Sequence, residues 1–126
     1  MTDTHRTHVL IIDDDALLRR ALSRILRRHF EVSVADSASH ALELLVPGCP
    51  YEYILCDLRM PGLGGREVEA RVAQTAPDLV SRFMFMTGGA TSLEDQDFLD
   101  ARPGRVLHKP FGANELREAI EALRSR

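Results

Sequence analysis

The sequence predicts one α/β domain in which a parallel β-sheet carries helices on both faces. Short apolar segments alternate five times with longer segments whose apolar residues recur at helical spacing. Val9–Ile12 is apolar at every position, which is typical of a strand buried on both faces of a parallel sheet. A chain of 126 residues suits a single domain, and its core is predicted at about residues 9–123.

The five predicted strands are short and end at polar residues. In chain order they are Val9–Ile12, Glu31–Ala35, Tyr53–Cys56 with Asp57 at its end, Arg82–Met86 with Thr87 at its end, and Arg105–His108. Five β–α units in succession predict a parallel sheet with helices on both faces.

The predicted helices follow the strands one by one. The first has apolar residues at i, i+3, i+4, i+7 and i+8, counted from Leu18. Ser37 is the expected N-cap of the second, and Pro47-Gly48 closes it. The third covers about Arg66 to Ala76, and the fourth about Leu93 to Ala101. The last carries the apolar residues Leu116, Ala119, Ile120 and Leu123.

Composition argues against several classes of partner. Apolar residues make up 44% of the chain and charged residues 28%, and the net charge is −3. This balance favours neither nucleic acid nor an anionic membrane as a partner. No apolar run has the length of a membrane span and the polar start is not a signal peptide, so a cytoplasmic setting is expected. Five arginines are interpreted as a solvated helix face: Arg19, Arg20, Arg24, Arg27 and Arg28. Cys56 is expected to be a small buried hydrophobe, since the two cysteines have no metal or redox spacing.

Polar residues with chemical potential collect where the predicted strands end. They are Asp13 and Asp14 after the first strand, Asp57 at the third, Thr87 at the fourth and Lys109 at the fifth. The carboxyl ends of parallel strands share one edge of a sheet, where ligands bind. We therefore expect these side chains to meet in one crevice.

Carboxylates gathered in one crevice repel each other, and a divalent cation with oxygen ligands relieves that repulsion. Mg²⁺ is the expected ion, with Mn²⁺ as the alternative. A carboxylate beside it can attack phosphorus and form an acyl phosphate. Lys109 and the Thr87 hydroxyl then supply positive charge and a hydrogen-bond donor to the transferred group.

These residues resemble the receiver domains of bacterial two-component signalling. The resemblance covers about Val9 to Leu123 and rests on four motifs. They are Val9-Leu10-Ile11-Ile12-Asp13-Asp14, Asp57-Leu58-Arg59-Met60-Pro61 with Gly65, Met86-Thr87-Gly88, and Lys109-Pro110-Phe111. It implies a flavodoxin-like, CheY-like fold with strand order 2-1-3-4-5. It also implies one receiver domain over residues 1–126 with no output domain in this sequence.

The resemblance further implies a role for each motif residue. Asp57 would take a phosphoryl group from a histidine kinase or a histidine phosphotransfer protein. Asp14, Asp57 and the backbone carbonyl of Arg59 would bind Mg²⁺ directly, and Asp13 would act through a metal-bound water. Thr87 would bind a phosphoryl oxygen, and Lys109 would pair first with the carboxylate and then with the phosphate. The Lys109–Pro110 peptide bond is expected to be cis.

Val106 departs from the pattern of receivers that feed a transcription-factor output. Those receivers commonly carry Tyr or Phe three residues before the lysine. With Val106, the chain is similar to receivers attached to hybrid sensor kinases. Switching through a rotating aromatic ring is therefore not expected here.

Two other functions are compatible with part of the sequence. Asp13-Asp14-Asp15 has the Asp-x-Asp spacing of haloacid-dehalogenase-like phosphatases, although the sequence lacks an evident cap domain and a late acidic pair. A degenerate receiver that serves only as a protein scaffold is the other alternative. The three hypotheses differ in which aspartate, if any, carries phosphate.

Overall fold

The computed structural model describes residues 6–89 and 92–124, with the side chain of Arg124 left aside. Within these ranges it contains a five-stranded sheet and five α-helices. The strands are β1 (His8–Ile12), β2 (Glu31–Ala35), β3 (Tyr53–Asp57), β4 (Phe83–Thr87) and β5 (Val106–His108). The helices are α1 (Ala16–Leu26), α2 (Ala38–Leu44), α3 (Gly65–Thr75), α4 (Leu93–Asp100) and α5 (Ala113–Arg124).

The sheet is parallel throughout, and its strand order is β2-β1-β3-β4-β5. The predicted fold class and strand order are therefore confirmed. The order reverses direction between β1 and β3, whose registers pair Ile12 with Cys56. Ligands of open parallel sheets bind beyond the carboxyl ends of the strands at such a reversal.

Two apolar cores lie on opposite faces of the sheet. One joins the strands to α2, α3 and α4 through residues such as Val68, Val72 and Leu99. The other joins them to α1 and α5 through residues such as Leu22 and Ile120. This double burial explains why β4, between β3 and β5, is buried at all five of its residues.

The helix cap predicted at Ser37 is confirmed, and a second cap occurs at Asp15. The Ser37 side chain accepts a hydrogen bond from the His40 N–H group at 3.1 Å and so caps α2. Asp15 caps α1 by accepting from Leu17 and Leu18. Cys56 is fully buried, and the Lys109–Pro110 peptide bond is cis, both as expected.

Two predicted strands begin one residue too early in the sequence interpretation. A 3₁₀ helix, Pro77–Arg82, precedes β4 and contains the residue that was placed in the strand. The Arg82 guanidinium donates instead to the carbonyl oxygen of Tyr51, at 2.8 Å. Before β5, the Arg105 N–H group closes a turn onto the carbonyl oxygen of Arg102, at 3.1 Å. Both arginines thus belong to connections.

Candidate active site

An acidic pocket forms where β1 and β3 end. Carboxylate oxygens of Asp13, Asp14 and Asp57 lie within 4.8 Å of one another. Asp13 is fully buried and Asp57 is 8% exposed, whereas Asp14 faces solvent. Three acids at this spacing form a donor set that suits a hard divalent cation.

Lys109 is the cation that the chain itself places in this pocket. Its Nζ atom lies 3.2 Å from Asp13 Oδ2 and 3.4 Å from Asp57 Oδ2. Its backbone N–H group donates to the carbonyl oxygen of Thr87 at 2.7 Å. Burial lowers the pKa of Lys109, but Asp57 and Asp13 raise it by more, so the ammonium form is favoured.

Lys109 is also the only lysine in a sequence with fifteen arginines. An ammonium group is a compact point charge with rotatable donors, whereas a guanidinium is a wide planar fork. At a position that must bridge two carboxylates inside a narrow pocket, the smaller group fits the geometry. The chain uses lysine only there.

Asp57 combines burial with a negative neighbour. Burial raises its pKa, and the charge of Asp13 raises it further, while Lys109 and the Arg59 N–H group oppose the rise. The Arg59 N–H group lies 3.5 Å from Asp57 Oδ1. The net effect is a pKa above the ordinary value of an aspartate. A cation near Asp57 would therefore stabilise its charged form.

The loop after β3 is tied closely to the strand end. The Leu58 N–H group donates to the carbonyl oxygen of Met86 at 2.9 Å, which extends the sheet one residue past Asp57. A side chain at Gly65 would place its Cβ 2.7 Å from the Asp57 carbonyl oxygen, too close for any non-glycine residue. Gly65, which forms part of the second motif, thus lets α3 begin against the pocket.

Thr87 lies at the carboxyl end of β4, next to β3, and is 5% exposed. In the register, Asp57 pairs with Met86, so Thr87 is one residue further along at the same edge. Strand ends thus bring together the five predicted residues: Asp13, Asp14, Asp57, Thr87 and Lys109. Arg59 follows in the loop, with its side chain turned outward to solvent and towards α4.

Sequence reasoning missed Asp95 and Arg66. Asp95, in the first turn of α4, is 8% exposed and accepts from the guanidinium groups of Arg59 and Arg66 at 3.3 and 3.2 Å. The Ser92 side chain caps α4 by accepting from the Asp95 N–H group at 3.0 Å. Capping is local, but these pairings join residues 36 and 29 positions apart, and no local pattern predicts them.

An apolar groove of about 470 Å³ adjoins the acidic pocket. One wall belongs to α1 and the other to the segment after β5. Its lining includes Leu18, Ala21, Ile25, Gly89, Lys109 and Phe111. Lys109 therefore contacts both the acidic pocket and a surface that suits an apolar partner.

The sequence profile of the response regulator receiver domain matches residues 9–121. The chain belongs to the response regulator receiver domain family. Strand order, acidic strand ends and lysine position all agree with that membership. The family profile covers nearly the whole length of this receiver domain of two-component signalling.

Relatives of this receiver domain differ in length. It is 33% identical to the response regulator receiver protein CpdR of Brucella abortus over 116 residues, covering 91% of the chain and 94% of CpdR. It is 33% identical to the transcriptional regulatory protein FixJ of Bradyrhizobium diazoefficiens, covering 94% of the chain and 57% of FixJ. It spans about a quarter of the hydrogenase transcriptional regulatory protein HoxA of Cupriavidus necator, at 39% identity over 97% of the chain.

Solved structures match the whole fold. A putative response regulator from Chloroflexus aurantiacus superposes with a TM-score of 0.80 at 26% identity, covering 97% of this chain and 100% of that one. A CheY-like receiver domain protein from Methanospirillum hungatei gives a TM-score of 0.78 at 26% identity, covering 96% of both chains.

The phosphatase alternative gains no support from the geometry of its aspartates. Its nucleophile would be Asp13, which is fully buried and bound to Lys109. Its second acid would be Asp15, whose carboxylate caps α1.

No helix in the described ranges is both long and apolar enough to cross a lipid bilayer.

Proposed function

We propose that this receiver domain accepts a phosphoryl group on Asp57 from a phosphohistidine and changes its surface in response. The observation that carries the proposal is the bridge that Lys109 makes between Asp13 and Asp57, beside Asp14. This arrangement keeps a carboxylate nucleophile next to a positive charge, while a second carboxylate raises its pKa. Such a site suits transfer of a negatively charged group.

Mg²⁺ fits the donor set of this pocket, and Mn²⁺ would fit by the same chemistry. Asp13 already has both oxygens engaged, one by Lys109 and one by the Asp15 N–H group at 2.9 Å. Asp14 is exposed. We therefore assign Asp14, Asp57 and the Arg59 carbonyl as direct ligands, and Asp13 as a ligand through water. When bound, the ion would neutralise charge on the transferred phosphoryl group.

In the proposed step, an Asp57 carboxylate oxygen attacks the phosphorus of the donor. A P–O bond forms and the P–N bond to the donor imidazole breaks, so no oxidant or further co-reactant is needed. The imidazole leaves and takes a proton from solvent. Lys109 then exchanges its contact with the Asp57 carboxylate for one with the phosphoryl oxygens.

Thr87 would report the phosphoryl group to the rest of the fold. It ends β4, and its carbonyl oxygen holds the Lys109 backbone. If its hydroxyl turns towards a phosphoryl oxygen, β4 and the segment after β5 respond together. This shifts an equilibrium between two surface states.

The apolar groove next to the pocket would receive the phosphodonor. Its donor histidine must reach Asp57, so the donor must cover the rim that Leu18, Ala21 and Phe111 form. A histidine kinase or a histidine phosphotransfer protein with an apolar surface around its histidine fits this requirement. Attachment to a hybrid kinase remains a prediction from Val106, which is half-buried in β5.

Phosphorylation with acetyl phosphate and Mg²⁺ tests the proposal directly. The wild type should form an acid-stable, hydroxylamine-sensitive acyl phosphate, and Asp57→Asn should form none. Phosphate that survives Asp57→Asn but disappears in Asp13→Asn would favour the phosphatase reading. If beryllofluoride with Mg²⁺ leaves the amide spectrum unchanged, the domain acts as a scaffold only.

A further inference from the structure

A second, basic groove lies between α1 and the edge strand β2. It has a volume of about 510 Å³ and four arginines in its lining. The lining is completed by Ala16, Ser23 and Val34. Sequence reasoning interpreted these arginines as a solvated helix face, and they do reach solvent. The structure adds that they share one concave surface.

The positive charge of this groove is not neutralised within the described part of the chain. No carboxylate there forms an ion pair with Arg20, Arg24 or Arg27. The first turn of α1 carries no acidic residue. Arg19 differs from the other three, because it donates to the carbonyl oxygen of Asp13 at 2.7 Å.

The floor of the groove is a strand edge. β2 is the outermost strand, and among the described residues it pairs only with β1. The Glu31 N–H group and the Ala35 carbonyl oxygen both bond towards β1. Backbone direction alternates along a strand, so the backbone groups of Val32 and Val34 point to the open edge.

Side chains alternate in the same way. Val32 packs with the α1 face of the sheet and Val34 is 39% exposed in the groove. Ala35 packs on the opposite face, so Glu31 also projects there. The α1 face of β2 therefore presents only apolar side chains beneath the arginines.

We propose that an extended, acidic segment of a partner protein binds here as a sixth strand along β2. Its backbone would pair with the open edge at Val32 and Val34, and every second side chain would point to the arginines. Acidic residues at alternate positions would place their carboxylates on the arginine side. About five residues in extended form span the length of β2.

The same features argue against other occupants. A second copy would bring identical arginines to the edge and be repelled. Nucleic acid offers no backbone that pairs with Val32 and Val34, and the exposed Asp14 and Asp15 lie near one end of the groove. A lipid surface is flat, whereas the charge here lines a concave site.

Binding of two synthetic heptapeptides to the 126-residue protein tests the proposal. One alternates Glu and Thr, and the other has the same composition with its glutamates in one block. We expect the alternating peptide to bind more tightly and to slow amide exchange at Val32 and Val34. Arg20→Glu combined with Arg24→Glu should weaken it about tenfold or more.

The control combines Arg28→Glu with Arg71→Glu, which changes the net charge equally outside the groove. It should bind the peptide as the wild type does, and all variants should load acetyl phosphate normally. Failure of peptide binding with normal loading overturns the groove proposal and leaves the role of Asp57 intact. Binding without protection of Val32 and Val34, or tighter binding of an oligothymidylate or of anionic phospholipid vesicles, also overturns it.

Discussion

The Arg59 guanidinium donates to the Asp95 carboxylate at 3.3 Å, so the loop after β3 is tied to the first turn of α4. Arg59 is two residues from Asp57, and its side chain is 60% exposed. Asp95 holds Arg66 as well, at 3.2 Å. Arg59 thus belongs to the loop that borders the pocket, but in this structure its guanidinium is bound by Asp95.

Asp95→Asn should lengthen the lifetime of the aspartyl phosphate. Loss of the carboxylate frees Arg59 to contact the phosphoryl group and exclude water. We expect hydrolysis to slow about two- to fivefold, since partly exposed ion pairs contribute up to ~1 kcal/mol. Decay of the acyl phosphate after removal of acetyl phosphate measures it.

Arg66→Gln is the matched control for that prediction, because it removes the ion pair between Arg66 and Asp95 and leaves Arg59 bound to Asp95. It should not change the lifetime. The double variant Arg59→Ala with Asp95→Asn should lose the gain. A gain that persists without Arg59 would contradict the mechanism.

Asp57→Asn should raise the melting temperature at neutral pH in the absence of Mg²⁺. Burial and Asp13 raise the pKa of folded Asp57 above 3.8, its ordinary value. The stability that protonated Asp57 contributes is fully present below pH 3.8, and it is lost as the pH rises through the pKa of Asp57 in the folded state. Removing the charge should therefore stabilise the fold at pH 7, by on the order of a few degrees.

The difference in melting temperature between the wild type and Asp57→Asn should disappear as pH falls below 3.8, where Asp57 is protonated in the folded and the unfolded state. Added Mg²⁺ should raise the melting temperature of the wild type more than that of Asp57→Asn. Asp97→Asn, on the exposed surface of α4, is the control. Equal effects of the two substitutions at pH 7 would refute the electrostatic origin.

Lys109→Ala should still accept some phosphate but lose much of the conformational response. Its ammonium group joins Asp13 to Asp57, and no other described cation bridges these carboxylates. Beryllofluoride should therefore shift far fewer amide signals in the variant than in the wild type. A full response without Lys109 would show that the switch runs elsewhere.

The single lysine gives this prediction a direct probe. Reductive methylation with labelled formaldehyde marks one lysine and the N-terminal amine, and retains positive charge. The lysine signal should move on addition of Mg²⁺ and again with beryllofluoride. Lys109→Arg assigns the signal and tests whether a planar guanidinium can replace the point charge; we expect that it cannot.

Arg102→Ala should destabilise the domain by about 3 kcal/mol, the lower end for a broken buried ion pair. Arg102 contacts Glu69, which is 6% exposed, with its Nη2 atom 2.6 Å from Oε1, and its guanidinium lies 3.5 Å from the Phe98 ring centroid. Urea denaturation measures the loss. Arg71→Ala, on the exposed side of α3, should change stability little. Adding Glu69→Leu should recover part of the loss, because no unpaired buried charge then remains.

The sequence was sufficient for the sheet and for the residues at its carboxyl edge. Runs such as Val9–Ile12 encode double burial, and parallel strands bring their ends together whatever the intervening helices contain. The same logic could not predict Asp95 with Arg59, or Glu69 with Arg102. Those pairs join α3 and α4 to residues outside the partner helix, Arg59 in the loop after β3 and Arg102 after α4, and no period in either helix encodes them.

The starts of β4 and β5 show a second limit of prediction from the sequence. Arg82 and Arg105 continue apolar runs and look like strand residues, yet each guanidinium reaches a carbonyl oxygen in another connection. A long side chain that satisfies a distant backbone group outweighs local propensity. The arginines of the basic groove are a third limit. Their charge was evident from the sequence, but their position above the open edge of β2 was not.

The contact between Lys109 and Asp13 joins residues 96 positions apart, and this separation has a consequence during synthesis. On the ribosome, Asp13, Asp14 and Asp57 are translated long before the residue that balances their charge. Until residue 109 has left the exit tunnel, the nascent sheet carries an acidic cluster without its internal cation. The full conformational response, which depends on Lys109, would then become possible only after the last strand is in place.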